Sequence, residues 1–160
     1  MRTIRIFISS PSDVAEERLK AREVIFRLQG RYAGQAELLP VLWEELPLQA
    51  DMSFQQGIDL VLGQGSGIDI AVFILWSRLG SPLGPLVRKD DGTAYRSGTE
   101  REFDLIWQAR EQSLAQTGTP RPAILAYTRR DDETWNEVLD SRKTDETLDG
   151  LLEQWRQARC

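Results

Sequence analysis

Apolar and polar positions change period along this chain, and each change marks an element. Thr3 to Ile8 is a short run rich in Ile and Phe, which predicts a strand. From Val14 the period lengthens. Val14, Ala21, Ile25, Leu28 and Tyr32 recur at spacings of 7, 4, 3 and 4, a single stripe along a helix that ends near Gly30 and Gly34. Glu16–Lys20 and Glu23–Arg27 are acid-first pairs that support its exposed face. Ala36 to Trp43 predicts a second strand, and Pro40 within it cannot donate to a ladder, so an edge position is expected. Glu44 to Asp51 predicts a loop and Phe54 to Leu62 a short helix. Ile68 to Trp76 is apolar almost throughout, apart from Asp69, which suits a parallel strand covered on both faces. Leu79 to Arg96 carries Gly80, Pro82, Gly84, Pro85 and Gly92 and predicts a long loop. Thr99 to about Gln116 predicts a helix with Phe103, Ile106, Trp107 and Leu114 on its apolar side. Pro122 to Thr128 predicts a fourth strand, Asp131 to Ser141 at most a short helix, and Thr147 onward a last helix with Leu148, Leu151, Leu152 and Trp155 in one stripe.

Strands alternating with helices specify an α/β fold with a mostly parallel sheet of four to five strands, helices on both faces and right-handed crossovers. The chain has 160 residues, 41% hydrophobic and 28% charged, so one domain with its own core is expected. Because "LLEQWRQARC" stops in mid-helix without a cap, the expectation is one domain of a longer polypeptide.

Charge and residue counts remove whole classes of function. The net charge is −5, and Arg121, Arg129 and Arg130 sit beside Asp131, Asp132 and Glu133. That is a mixed-charge loop without a basic stripe, so nucleic-acid binding is not expected. No apolar run approaches the roughly 18 residues of a membrane helix, and no basic segment precedes a long apolar one, so neither membrane insertion nor secretion is expected. The single cysteine is Cys160, which fits a cytoplasmic protein. There is no histidine. Histidine-based triads, histidine bases and Cys/His metal sites are therefore excluded, and no metal site is expected. Any catalysis must rest on carboxylates, hydroxyls, Lys, Arg or backbone amides.

Three stretches carry candidate chemistry. "SSPSD" places Ser9, Ser10, Ser12 and Asp13 at the carboxyl end of the first strand, the edge where open α/β sheets bind ligands. The free amides of the next helix point there too. No glycine occurs within the stretch, so a G-x-G-x-x-G grip on a pyrophosphate is absent. The competing reading is local: Ser12 or Asp13 caps the helix, with Asp13-x-x-Glu16 as a capping-box variant. "LWSRLG" places Trp76, Ser77 and Arg78 at the same edge. Trp76 can stack on a base and Arg78 can pair with a phosphate. Otherwise Trp76 closes the core and Arg78 pairs with an acid such as Asp13 or Glu100. In "SGTEREF", Ser97-x-x-Glu100 and Thr99-x-x-Glu102 both fit a capping box, and acids in a first turn suit the helix dipole. "GQGSG" at 63–67 precedes a strand and predicts a turn.

"RIFISSPSDVAEER" resembles the opening of the DUF4062 family in Phe7, Ile8, Ser9, Ser10, Asp13, Glu17 and Arg18. "DIAVFILWSRLGSPLG" and "SGTEREFDLIWQA" resemble that family's middle strand and the helix after it, in the same order, over roughly residues 4 to 128. The resemblance implies a TIR-like, flavodoxin-like module at the N-terminus of a larger STAND or NACHT-type NTPase in bacterial defence. Its partners would be further copies of the same module and the rest of the NTPase chain. Many TIR domains cleave NAD at the nicotinamide–ribose bond, through an oxocarbenium-like sugar that one carboxylate can stabilise. On that implication Glu102 is the first candidate for the catalytic carboxylate and Glu100 the second. Ser9, Ser10, Ser12, Asp13, Trp76, Ser77 and Arg78 would line the pocket, and NAD would be a substrate, with no cofactor required. Gly98 and Thr99 stand where TIR enzymes usually carry a Trp-Cys or similar pair. Two readings follow: a signalling or effector head acting through oligomerisation and protein contacts, or an NAD(P)-cleaving enzyme. A third is a nucleotide-sensing domain without turnover.

Overall fold

The computed structural model describes residues 1–42, 67–84, 87–89 and 91–129. Four strands, β1 (Arg2–Ser9), β2 (Ala36–Leu42), β3 (Ile70–Leu75) and β4 (Ala123–Thr128), form one all-parallel sheet in the order β2-β1-β3-β4. The helices are α1 (Ala15–Arg31), entered through a 3-10 turn at Ser12–Val14, and α2 (Gly98–Thr117). The fold is α/β with a parallel sheet, as the alternation of elements predicts, and its strand order is flavodoxin-like, as the family resemblance implies. The direction of strand addition reverses between β1 and β3, so the crevice beyond their carboxyl ends is the switch point of the sheet. Among the described residues no helix is long and apolar enough to cross a membrane. The expected helices at 54–62, 131–141 and 147–160, the loop at 44–51 and most of the 63–67 turn lie outside the described residues.

Strand pleating divides the core into two layers. Phe7, Ala71, Phe73 and Leu75 face α2 and pack with Phe103 and Ile106. Phe73 meets Phe103 edge-on at 5.5 Å, and Trp107 stacks on Phe103 at 6.0 Å. Ile6, Ile8 and Ile74 face the other way and pack with Val14 and Ile25 at the α1 side. Burial of β3 on both faces explains its unbroken apolar run. On α1 the expected stripe holds at Val14 and Ile25, loosens to half-buried at Ala21 and Leu28, and fails at Tyr32, which is exposed.

β2 is an edge strand among the described residues, consistent with Pro40. Gln29 of α1 tends it: its side chain donates to the Ala36 carbonyl at 3.2 Å and accepts from the Leu38 amide at 2.5 Å. Asp69, the polar interruption before β3, ties the amino edge together. It accepts from the Arg5 amide at 3.0 Å and pairs with Arg2 at 3.1 Å and Arg121 at 3.5 Å. Arg121 and Arg129 of the mixed-charge stretch are thus in ion pairs, Arg129 with Glu17 at 3.2 Å.

Candidate functional site

The carboxyl edge is built from the end of β1, the loop after β3 and the first turns of both helices. Ser9 is the last residue of β1 and fully buried on the α2 face. Its hydroxyl donates to Glu102 Oε2 at 2.5 Å. Glu102 is only 5% exposed and lies in the second turn of α2, one residue before the core residue Phe103. The helix therefore aims this carboxylate at the sheet, 93 positions back along the chain.

Glu100 does what its spacing suggests, with one change. Ser97 is the N-cap of α2 and its hydroxyl accepts from the Glu100 amide at 3.1 Å. The Glu100 carboxylate reaches back one residue further than a capping box requires and accepts from the Arg96 amide at 2.7 Å. It also holds Lys89 at 2.6 Å, and Lys89 lies 3.7 Å from Asp104. Burial works against the Lys89 charge, but its bond to Glu100 and the charges of Asp104 and Glu100 outweigh it and raise its pKa. Burial pushes the Asp104 carboxyl up, against the pull of Lys89. Lys89 and Arg101 both lie over the Tyr95 ring, at 5.3 and 5.8 Å. The long loop is thereby fastened to the start of α2. The Ser97 hydroxyl adds a bond to the Leu79 carbonyl at 2.8 Å, and Gly80 with φ +112° passes close beneath Thr99.

The expected capping of α1 by Ser12 or Asp13 is not found. Pro11 and Val14 occupy the cap positions of the 3-10 turn and of α1, and neither cap has a side-chain hydrogen bond. Asp13 instead crosses the switch point. Its Oδ2 accepts from the Ser77 amide at 3.1 Å and the Ser77 hydroxyl at 2.9 Å. Ser12 accepts from Arg78 at 3.1 Å. Arg78 therefore bonds a hydroxyl, where the alternative to a ligand role had it pair with an acid such as Asp13 or Glu100. Two donors from the β3 loop engage Asp13 Oδ2, where a cap would have offered a single amide of its own helix. Ser10 accepts from Arg18 at 3.2 Å.

The pocket residues expected from the sequence separate into two groups. Ser9 and Glu102 lie on the α2 face. Trp76 packs with the α1 layer, half-buried, with the Arg129 guanidinium 4.5 Å above its ring. Asp13 and Ser77 link β1 to β3 at the rim. Sequence reasoning assigned no role to Arg129, Lys89 or Gln29. Glu17 and Arg18 stood in the first motif, but spacing alone gave no reason to turn them toward the edge. Among the described residues no group of three His, Cys, Asp or Glu is placed to hold a metal ion. Comparison with protein-family models, curated proteins and solved structures finds no match to this chain.

Proposed function

We propose that this chain is a TIR-like signalling or effector head of a larger, STAND-type defence NTPase, working in the cytoplasm through contacts between copies of itself. One observation supports this reading above others. The three sequence blocks that resemble the DUF4062 family are the blocks that bond to one another at the carboxyl edge. Ser9 joins the first block to the third, Asp13 and Ser12 join the first to the second, and Ser97 joins the third to the second. Residues that merely terminate their own elements would have local partners alone; these reach partners in the other blocks, Ser97 in addition to capping α2, and gather at the ligand edge of the sheet.

The Ser9–Glu102 contact favours a second reading, cleavage of NAD(P) at the nicotinamide–ribose bond. Glu102 is the carboxylate that the first strand engages through Ser9, at the carboxyl edge where a ribose would be expected to bind. Its charge would stabilise an oxocarbenium-like sugar, with Ser9 fixing the carboxylate. Glu100, engaged by Lys89 and the Arg96 amide, is the poorer candidate.

One experiment tests both readings. The chain is clustered on an oligomeric scaffold, recruitment of free chain is measured, and nicotinamide release from NAD is followed. Recruitment without release is the expected result for the signalling head. Release that Glu102→Gln abolishes and Glu100→Gln spares establishes the enzyme. Clusters that neither recruit nor release overturn both readings.

A further inference from the structure

On the α1 side of the carboxyl edge, five residues form a circuit of contacts that starts and ends at the entry to α1. Asp13 is bonded to Ser77, and Ser77 follows Trp76. The Arg129 guanidinium covers the Trp76 ring and pairs with Glu17 Oε1 at 3.2 Å. Glu17 lies four residues after Asp13, at the other end of this run of contacts. Three polar atoms of this circuit are buried without a hydrogen-bond partner among the described residues: Asp13 Oδ1, Glu17 Oε2 and Trp76 Nε1. Buried polar groups are normally paired, and each one left unpaired destabilises the protein.

The three atoms have a definite chemical complement. The two carboxylate oxygens only accept and the indole N–H only donates. A group satisfying all three offers two N–H donors beside one acceptor. A primary amine on an sp2 carbon next to a ring nitrogen or carbonyl has that pattern. We propose that the Asp13–Ser77–Trp76–Arg129–Glu17 circuit is a binding subsite for such a group, the amino edge of adenine or cytosine or a primary carboxamide. The location supports a ligand. Asp13 follows β1, Trp76 and Ser77 follow β3, and Arg129 follows β4, so the circuit spans the switch point where open α/β sheets bind ligands. The inference does not depend on Glu102, which lies on the opposite face.

The test is a titration of the 15N-labelled chain, following the Trp76 indole N–H, assigned with Trp76→Phe. The probes are adenosine, nicotinamide and inosine. Adenosine carries the amino edge on a base, nicotinamide carries it as a carboxamide, and inosine replaces the amino group with a carbonyl. A saturable shift with adenosine, nicotinamide or both, and none with inosine, is the expected result, and the responding probe identifies the source. Trp76→Phe keeps an aromatic ring under Arg129 and removes the donor. Binding of the responding probe to it, read by calorimetry, falls about tenfold, the loss of one hydrogen bond. An indole that responds to no probe, or equally to inosine, overturns the proposal and leaves the circuit to buried water. NAD turnover has no part in the readout, so this result and that of the clustering experiment stand independently.

Discussion

Replacing Ser9 with alanine removes one hydroxyl from a site with no exposure and leaves a buried carboxylate oxygen without its donor. A hydrogen bond to a charged group contributes about 1.5–3 kcal/mol. The space left by one oxygen is too small to admit water freely, so the full penalty is expected. For a chain of 160 residues each kcal/mol shifts Tm by roughly 2–4 °C, which gives a drop of about 3–12 °C. Ser10→Ala is the control. Ser10 accepts from a half-buried Arg18 that also reaches the Ser10 carbonyl, so its loss is expected to stay below about 1 kcal/mol. Urea unfolding of Ser9→Ala, Glu102→Ala and the double variant closes a cycle that isolates the pair. A coupling of at least about 1 kcal/mol is expected. A Ser9→Ala loss within about 0.5 kcal/mol of zero, with no coupling, would refute the claim that Ser9 holds the Glu102 carboxylate.

Other consequences follow from the same geometry. Gly80→Ala destabilises more than Gly34→Ala in thermal unfolding. Both positions have positive φ, but an added Cβ at Gly80 would meet Thr99 Oγ1 at 2.9 Å whereas Gly34 has nothing within 4 Å; the penalty at Gly34 alone is about 1–2 kcal/mol, and equal losses would contradict the close approach. Ser97→Ala removes the α2 cap and a bond to the Leu79 carbonyl, a loss of about 1–2 kcal/mol in urea unfolding, and an unchanged midpoint would show that the cap is dispensable. Burial raises the folded pKa of Asp104, so folding favours its protonated form. Its contribution is present below the ordinary aspartate pKa near ~3.9 and is lost as pH rises through the raised value. The stability of Asp104→Asn relative to the parent should therefore improve from acid toward neutral pH, and a trend of the opposite sign refutes the assignment.

The elements were legible because burial imposes a period. β3 is covered on both faces and reads as one apolar run, while α1 and α2 bury one side over part of their length, leaving Tyr32 and Leu114 of the expected stripes exposed. Edge placement of β2 among the described residues was legible in Pro40, because proline lacks the donor a central strand needs. The side-chain partners at the carboxyl edge were not legible. Ser12 and Asp13 stand where a cap would stand, yet the β3 loop, 64 positions further on, offers Asp13 two donors at once. Glu100 and Glu102 both match the three-residue capping interval. Only the true N-cap, Ser97, decides between them, and the turn that puts Glu100 beside the loop puts Glu102 toward the sheet. A single shared pocket was expected because all the candidates follow strands; the pleat sends Ser9 and Trp76 to opposite faces. Asp69 showed as an anomaly in an apolar run, and its role became clear only with Arg2, Arg5 and Arg121 beside it.

Self-association of the head is the claim on which the functional account turns. Sedimentation velocity of the chain over a rising concentration series measures it directly. The account predicts a reversible, concentration-dependent increase in the weight-average sedimentation coefficient. A coefficient that stays at the monomer value at every concentration would contradict it.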